Sequence, residues 1–406
     1  DLVFVLDLGS TKAVCMAARP TGDDKIEVVA MAHAECKGVK RGAVADLDDS
    51  AMAVSEVIRK VSVALGEDVN RLVVAIGGSH VEGVNAQGFV PIVPQSRPIN
   101  SDDVLRVVNH SRQLMMPPDR EQIQAIPREF RVNGQRGIAK PIGMNGSKLE
   151  VMTYIVTGHT PNVQNLERVV QMAGARVDGM VLMPLASGLG VLSEQDRELG
   201  VVVVDIGGGT TDMAVFANGS IAFHASLPIA GQLVTSDLSK LLKTTPDEAE
   251  RLKLRYGGAV ASMVPEGDSL DVNQIGQEVP RPMQRRVFCE IVESRMRELA
   301  VMVRQQIERS GFTGMLPGGV VLTGGGSLLP NTEDLFETNL SHMRVRRGVP
   351  KAEGQLKHSL SRPEYATALG LARYALDTAA EEYDTATGDG SWKGRVRSLF
   401  SMFGGK

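Results

Sequence analysis

Apolar residues fall in short runs that alternate with polar, Gly-rich breaks. An opening run, Val3-Phe4-Val5-Leu6, ends in Asp7-Leu8-Gly9-Ser10-Thr11-Lys12, and a second apolar run follows at 13–18. Two hundred residues on, the pattern returns. Val201-Val202-Val203-Val204 ends in Asp205-Ile206-Gly207-Gly208-Gly209-Thr210-Thr211-Asp212, and 213–217 is again apolar. Each copy reads as strand, Gly-rich tip, strand, which is a β-hairpin. A third strand, 319–323, runs into Gly324-Gly325-Gly326-Ser327, and a helix is predicted over 329–340. The block 77–160 differs in texture. It has Pro-rich turns, one amphipathic helix near 102–114 and an alternating strand at 149–157. A long helix is predicted over 283–310, and another after Pro246.

The chain then changes character. Residues 377–390 are acidic, small and nearly free of apolar side chains, which predicts a flexible linker. In 391–403, Trp392, Val396, Leu399, Phe400 and Phe403 recur at helical spacing within an arc of about 100°. Lys393 and Arg397 flank that arc on one side and Arg395 on the other. Such a helix is too short to span a bilayer but suits lying among headgroups. The competing reading docks it on the protein's own core or in a partner's groove. The polar linker and the aromatic face favour an anionic membrane surface.

Composition narrows the field. The 406 residues are 43% hydrophobic, enough for several domains with real cores. With 43 Gly and only 4% aromatics, the chain suits an α/β protein with many tight turns. A net charge of −4 argues against nucleic-acid binding driven by bulk positive charge. Cys15, Cys36 and Cys289 lie far apart and form no metal-ligand spacing, so a reducing compartment is expected. The opening run has no basic flank or cleavage site, so no signal peptide is expected.

The duplicated hairpin carries the chemistry. Glycines at its tip let backbone N–H groups approach an anion closely. Ser10, Thr11, Thr210 and Thr211 add hydroxyls. Asp7 and Asp205 would repel phosphate directly, but make sense as ligands of a hydrated Mg2+, which favours carboxylates, waters and phosphate oxygens. Lys12 is placed to reach phosphate. Gly324, Gly325 and Gly326 form a strand-to-helix loop suited to close passage of a base or sugar. Asp212 admits two readings, a carboxylate near a terminal phosphate or a cap of its own hairpin.

These residues resemble the actin, sugar-kinase and heat-shock-70 ATPase superfamily. The stretches 7–12, 205–212 and 318–330 stand for its two phosphate motifs and its adenosine motif. Met183-Pro184-Leu185-Ala186-Ser187-Gly188 resembles the first connecting helix. The run 363–374, with small Ala366, Ala368 and Gly370, resembles the second. Within the superfamily, the wording of 198–212, 228–237 and 246–253 is similar to the bacterial cell-division actins, the FtsA family. The resemblance covers nearly the whole chain.

It implies an actin-like fold of two duplicated ribonuclease-H-like halves with ATP or ADP and Mg2+ in the cleft. Residues 1–76 and 161–195 would form subdomain 1A, 77–160 an inserted α+β subdomain 1C, 199–235 and 311–376 subdomain 2A, and 236–310 subdomain 2B. Glu250 and Lys253, three apart on one helix face, would border the ribose and base; otherwise they are an exposed ion pair. Where heat-shock-70 relatives supply a Glu before the connector Pro, this chain has Met183, so slow ATPase is the most expected, with Asp205 and Asp212 as its carboxylates.

The resemblance further implies a division protein on the cytoplasmic face of the inner membrane at midcell. It would self-associate into filaments, contact other division proteins through 1C and bind the tail of the tubulin-like protein FtsZ through 2B. Arg285, Arg286 and Arg295 on the long helix are candidates for that tail; a solvated helix face is the other reading. Two alternatives share the nucleotide core: an actin-like assembly factor of type IV pili, and a small-molecule kinase needing a second pocket with a general-base Asp.

Overall fold

A computed structural model describes residues 2–21, 25–113 and 116–387. Two five-stranded sheets organise it. In the first, the strands lie in the order Ile26–Glu35, Lys12–Pro20, Val3–Leu8, Arg71–Ile76, Arg176–Leu182. In the second, the order is Ser220–Leu227, Thr211–Ala217, Val201–Ile206, Val320–Thr323, Val345–Arg347. Numbered from the start of each half, both sheets run third, second, first, fourth, fifth. Both open with an antiparallel meander and continue with parallel strands. The echo in the sequence is therefore a duplication of topology. Val201 to Val204 are wholly buried because this central strand is covered on both faces, so apolar residues run on without alternating.

Two helices join the halves. Met183–Val191 and Ala366–Thr387 cross so closely that a Cβ added to Gly370 would fall 1.7 Å from the Ala186 carbonyl oxygen. One added to Gly190 would fall 2.2 Å from that of Ala366. The second helix corrects one expectation. Residues 377–390 are expected to be a flexible linker, yet the helix continues through Thr387; 388–390 lie outside the described residues. Its continuation includes the good helix formers Ala379, Ala380, Glu381 and Glu382 and no Gly or Pro before Gly388, and extending an existing helix needs no new nucleus. Among the described residues, no helix is long and apolar enough to cross a membrane.

The block 77–160 is a unit of its own. Its antiparallel sheet has the order Val81–Pro91, Lys148–His159, Arg120–Val132, Gln135–Ile138, with helix Ser101–Ser111 packed on it. Val90, Val104, Val107, Phe130 and Leu149 are among the residues of its separate core. It touches the second half at several points, among them a buried contact between Tyr154 and His224. The Tyr154 hydroxyl lies 2.8 Å from Nδ1 of His224 and accepts the His224 N–H at 3.0 Å.

Two other expectations shift. The helix predicted over 329–340 is a short 3-10 turn, Gly325–Leu328, followed by Thr332–Asn339. Pro330 and the left-handed Asn331 (φ 65°) divide them. The expected 2A–2B boundary at 235/236 falls inside helix Gly231–Leu242. That helix starts at Gly231 because its first N–H groups are anchored on the second hairpin.

Candidate functional site

Both hairpin tips are closed by one backbone bond, Gly9 N–H to the Lys12 carbonyl (2.9 Å) and Gly207 N–H to the Thr210 carbonyl (3.0 Å). The tips face each other. A Cβ on Gly208 would lie 2.3 Å from Thr11 Cγ2, and one on Gly209 would lie 2.4 Å from Ser10 Oγ. Glycine is required here because the two halves meet backbone to side chain. The helix Gly231–Leu242 locks the arrangement. Gly231 N–H donates to the Gly207 carbonyl (3.1 Å) and Gln232 N–H to that of Gly208 (2.8 Å). The Gln232 side chain donates across the cleft to the Ser10 carbonyl (3.2 Å).

The Gly-rich turn closes on the same place. A Cβ on Gly324 would meet Asp205 Oδ1 at 2.2 Å, and one on Gly326 would meet Ile206 Cγ2 at 2.3 Å. A Cβ on Gly325 would point into open space. The turn thus presents a bare backbone ledge to the cleft, such as a flat base can lie against.

Three carboxylates converge. Burial pushes Asp7 up to about 7, opposed by Lys12 and reinforced by the charges of Asp205 and Asp212. Burial pushes Asp212 up to about 6, although the Thr210 hydroxyl donates to it at 2.7 Å. Asp205 is also raised by burial, against two hydroxyls that donate to its Oδ2: Ser187 at 2.6 Å and Thr367 at 2.9 Å. One hydroxyl comes from each connecting helix. Among the described residues, no cluster of three or more acidic, His or Cys side chains could by itself hold a metal ion. A cation such as Mg2+ keeps most of its waters and needs only one or two carboxylates beside phosphate oxygens. Asp7 and Asp205 are the residues that would hold it, and the mutual repulsion of the carboxylates is what a cation would relieve.

Other expected residues are placed differently from their first reading. Thr210 and Thr211 spend their hydroxyl protons inside the protein, on Asp212 and on the Ile229 carbonyl (2.7 Å), so only their backbone faces the tip. The Lys12 ammonium donates to the Glu364 carbonyl (2.9 Å) and sits 4.4 Å over the Tyr365 ring, tying the first hairpin to the second connector. Burial lowers its pKa. Lys253 pairs with Glu250 at 2.7 Å and donates to the Gly231 carbonyl at 3.1 Å, so this pair buttresses the second hairpin from behind.

The arginine face of the long helix, which runs Arg285–Arg309, is not bare. Arg285 binds Asp268 (3.1 Å) and the Tyr256 carbonyl (2.9 Å), and Arg295 binds Asp237 (2.7 Å) and Glu298 (2.5 Å). Arg286 is half-buried on the same helix. The helix expected at 391–403 lies outside the described residues. Sequence reasoning missed Ser187, Thr367 and Gln232. The one available signal was a hydroxyl set among small residues in each connector.

A family model described as cell division protein FtsA matches residues 202–370, and one described as the SHS2 domain inserted in FtsA matches residues 78–157. Cell division protein FtsA of Pseudomonas aeruginosa is 34% identical over 380 residues, 94% of this chain and 90% of that protein. FtsA of Escherichia coli K12 is 30% identical over 409 residues, 98% and 97% of the two chains. Among solved structures, the PilM–PilN type IV pilus biogenesis complex matches with a TM-score of 0.65 at 17% identity, covering 92% of this chain and 98% of that one. MreB5 of Spiroplasma citri bound to ADP matches with a TM-score of 0.57 at 13% identity, covering 94% and 98%. At such identities these structures speak for the actin-like fold alone.

Proposed function

The chain belongs to the FtsA family of cell division proteins, and from that premise we propose that it is an ATP-binding, actin-like scaffold that polymerises on the inner face of the cytoplasmic membrane and tethers FtsZ filaments there. The carrying observation is the pair of facing hairpins whose Asp205 is gripped by a hydroxyl from each connector. A polyphosphate between the tips touches both halves at once, so nucleotide acts as a clamp that favours the closed arrangement. Asp7 and Asp205 hold Mg2+, which when bound neutralises phosphate charge. The N–H groups of the two tips cradle phosphate oxygens, and the 324–326 ledge takes the adenosine.

Hydrolysis is slow in this reading. Met183, at the start of the first connector, offers no proton acceptor, and both Asp205 and Asp212 are already engaged by hydroxyls. Subdomain 2B receives the acidic FtsZ tail, which must compete with the internal partners of Arg285 and Arg295. The insert at 77–160 contacts other division proteins, and the segment 391–403, amphipathic at helical spacing in the sequence, supplies the membrane anchor. One helix binds reversibly, and filaments bind by avidity.

The test is co-sedimentation with liposomes containing anionic lipid, for the full chain and for a chain ending at Asp389, with and without Mg-ATP, followed by addition of FtsZ. The full chain is expected to pellet, more so with Mg-ATP, and to bring FtsZ with it, while the shortened chain stays in solution. Equal behaviour of the two chains would remove the anchor. Binding to liposomes without FtsZ recruitment would remove the tether.

A further inference from the structure

A third turn reaches the cleft beside the two phosphate hairpins. Strands Val39–Lys40 and Ala43–Val44 pair antiparallel, leaving Arg41 and Gly42 at the tip. The position of this tip is fixed by glycine contacts. A Cβ on Gly42 (φ 77°) would lie 2.7 Å from Gly78 Cα, and one on Gly78 (φ 100°) would lie 2.9 Å from the Arg41 carbonyl oxygen. Two backbones therefore touch, and the Gly78 N–H in turn donates to Asp212. A Cβ on Gly209 that meets Ser10 Oγ on one side would lie 3.3 Å from the Arg41 nitrogen on the other. Arg41 thus stands where the two phosphate tips meet, on the Gly209 and Asp212 side. The adenosine ledge closes on Asp205 and Ile206.

The Arg41 side chain is exposed and held at φ 51°, a left-handed backbone uncommon outside glycine. No carboxylate pairs with it among the described residues. The cleft contains three carboxylates, and Lys12 is occupied by the Glu364 carbonyl and Tyr365. Bringing in a further polyanion requires a cation at its far end.

We infer that Arg41 recognises the terminal phosphate of a bound nucleoside triphosphate and makes this site prefer triphosphate to diphosphate. The inference rests on the nucleotide reading above and adds its selectivity. A chain of phosphates starting from the 324–326 ledge passes between the tips and ends beside Gly209, within the span of the Arg41 turn. A guanidinium offers a planar fork to two phosphate oxygens, a match an ammonium does not make. A diphosphate ends one group short of it.

The experiment is calorimetric titration of the full chain with Mg-ATP and with Mg-ADP, for wild type, Arg41→Ala, Arg41→Gln and Arg41→Lys. Loss of a charge-assisted phosphate contact predicts about 10–100-fold weaker ATP binding in the Ala and Gln variants, with ADP affinity changed less than about threefold. Lysine restores part of the loss. Unliganded melting curves of Arg41→Gln and wild type are expected to coincide, since the tip is set by Gly42 and Gly78. If wild type binds both nucleotides and the neutral variants keep its ATP-to-ADP ratio, Arg41 does not read the terminal phosphate, and the nucleotide site stands without it. A wild type that binds neither nucleotide overturns the site and the inference together.

Discussion

Asp7 shows the cost of gathering carboxylates in the cleft. Its carboxyl is pushed up to about 7, well above the 3.8 of a free aspartate. Between those two values the unliganded folded protein holds a proton that the unfolded chain has released. The contribution of Asp7 to stability is therefore full below about pH 4 and is lost as pH rises through 7. Above that, the native state carries a desolvated charge beside Asp205 and Asp212, which Lys12 only partly offsets. Asp7→Asn should stabilise the unliganded protein at pH 8 by on the order of 2 kcal/mol, flatten its pH dependence between pH 5 and 8, and weaken Mg-ATP binding tenfold or more. Melting curves at pH 5, 6.5 and 8, with and without Mg-ATP, check this. A variant that melts below wild type at pH 8 without nucleotide would show that the carboxylate is not strained. His224 has the opposite sign. Burial lowers it to about 4, so its contribution is full above about pH 6.5 and is lost as pH falls toward 4.

Among the elements, helix Ser101–Ser111 shows how the insert holds itself together. The Asn100 side chain accepts the Asp103 N–H, and the Asp103 carboxylate accepts the Asn100 N–H, both at 3.0 Å. The same carboxylate, 1% exposed, takes two bonds from Arg97 (2.6 and 2.8 Å) and one from Arg106 (2.5 Å). These partners hold it well below the usual carboxylate range. Its contribution is present above about pH 4 and is lost on further acidification. Asp103→Ala leaves Arg97 without its carboxylate and removes half of the cap, a loss of about 3 kcal/mol. Hydrogen exchange is expected to quicken across 78–157 and not in the phosphate hairpins, because the insert has its own core. Quickening of both together would mean that the insert and the cleft unfold as one unit.

For the whole molecule, the crossing of the two connectors decides how the halves communicate. Asp205 receives a hydroxyl from each connector, and Lys12 reaches the backbone just before the second. A change at the phosphates is felt by both helices within one hydrogen bond. Gly370→Ala puts a methyl group where the Ala186 carbonyl already lies, forcing the helices apart at a cost of about 3 kcal/mol. It should weaken Mg-ATP binding without any contact to nucleotide and lower the melting temperature. A variant that melts lower yet binds nucleotide as wild type does would show that the crossing supports the fold but not the clamp.

The sequence by itself determined the duplicated hairpin, its aspartates and glycines, the separate character of 77–160 and the third Gly-rich turn. The hairpins and the turn are local: strand, turn and strand lie within Val3–Pro20 and within Val201–Ala217, and their residue types follow from backbone geometry. The same local reading misjudged 377–387. Its acidic, small residues look like a linker in isolation, but a helix already held by Gly370 and its neighbours extends through them to Thr387. Tertiary structure alone decided that Ser187 and Thr367, 180 residues apart, share one carboxylate oxygen, that Lys12 faces Tyr365, and that Arg285 and Arg295 have internal partners. It also brought Arg41, in an unremarked turn, against Gly209. Hydrogen bonds and ion pairs are fixed by where side chains end in space, and that depends on how the two halves close, which no spacing along the chain encodes.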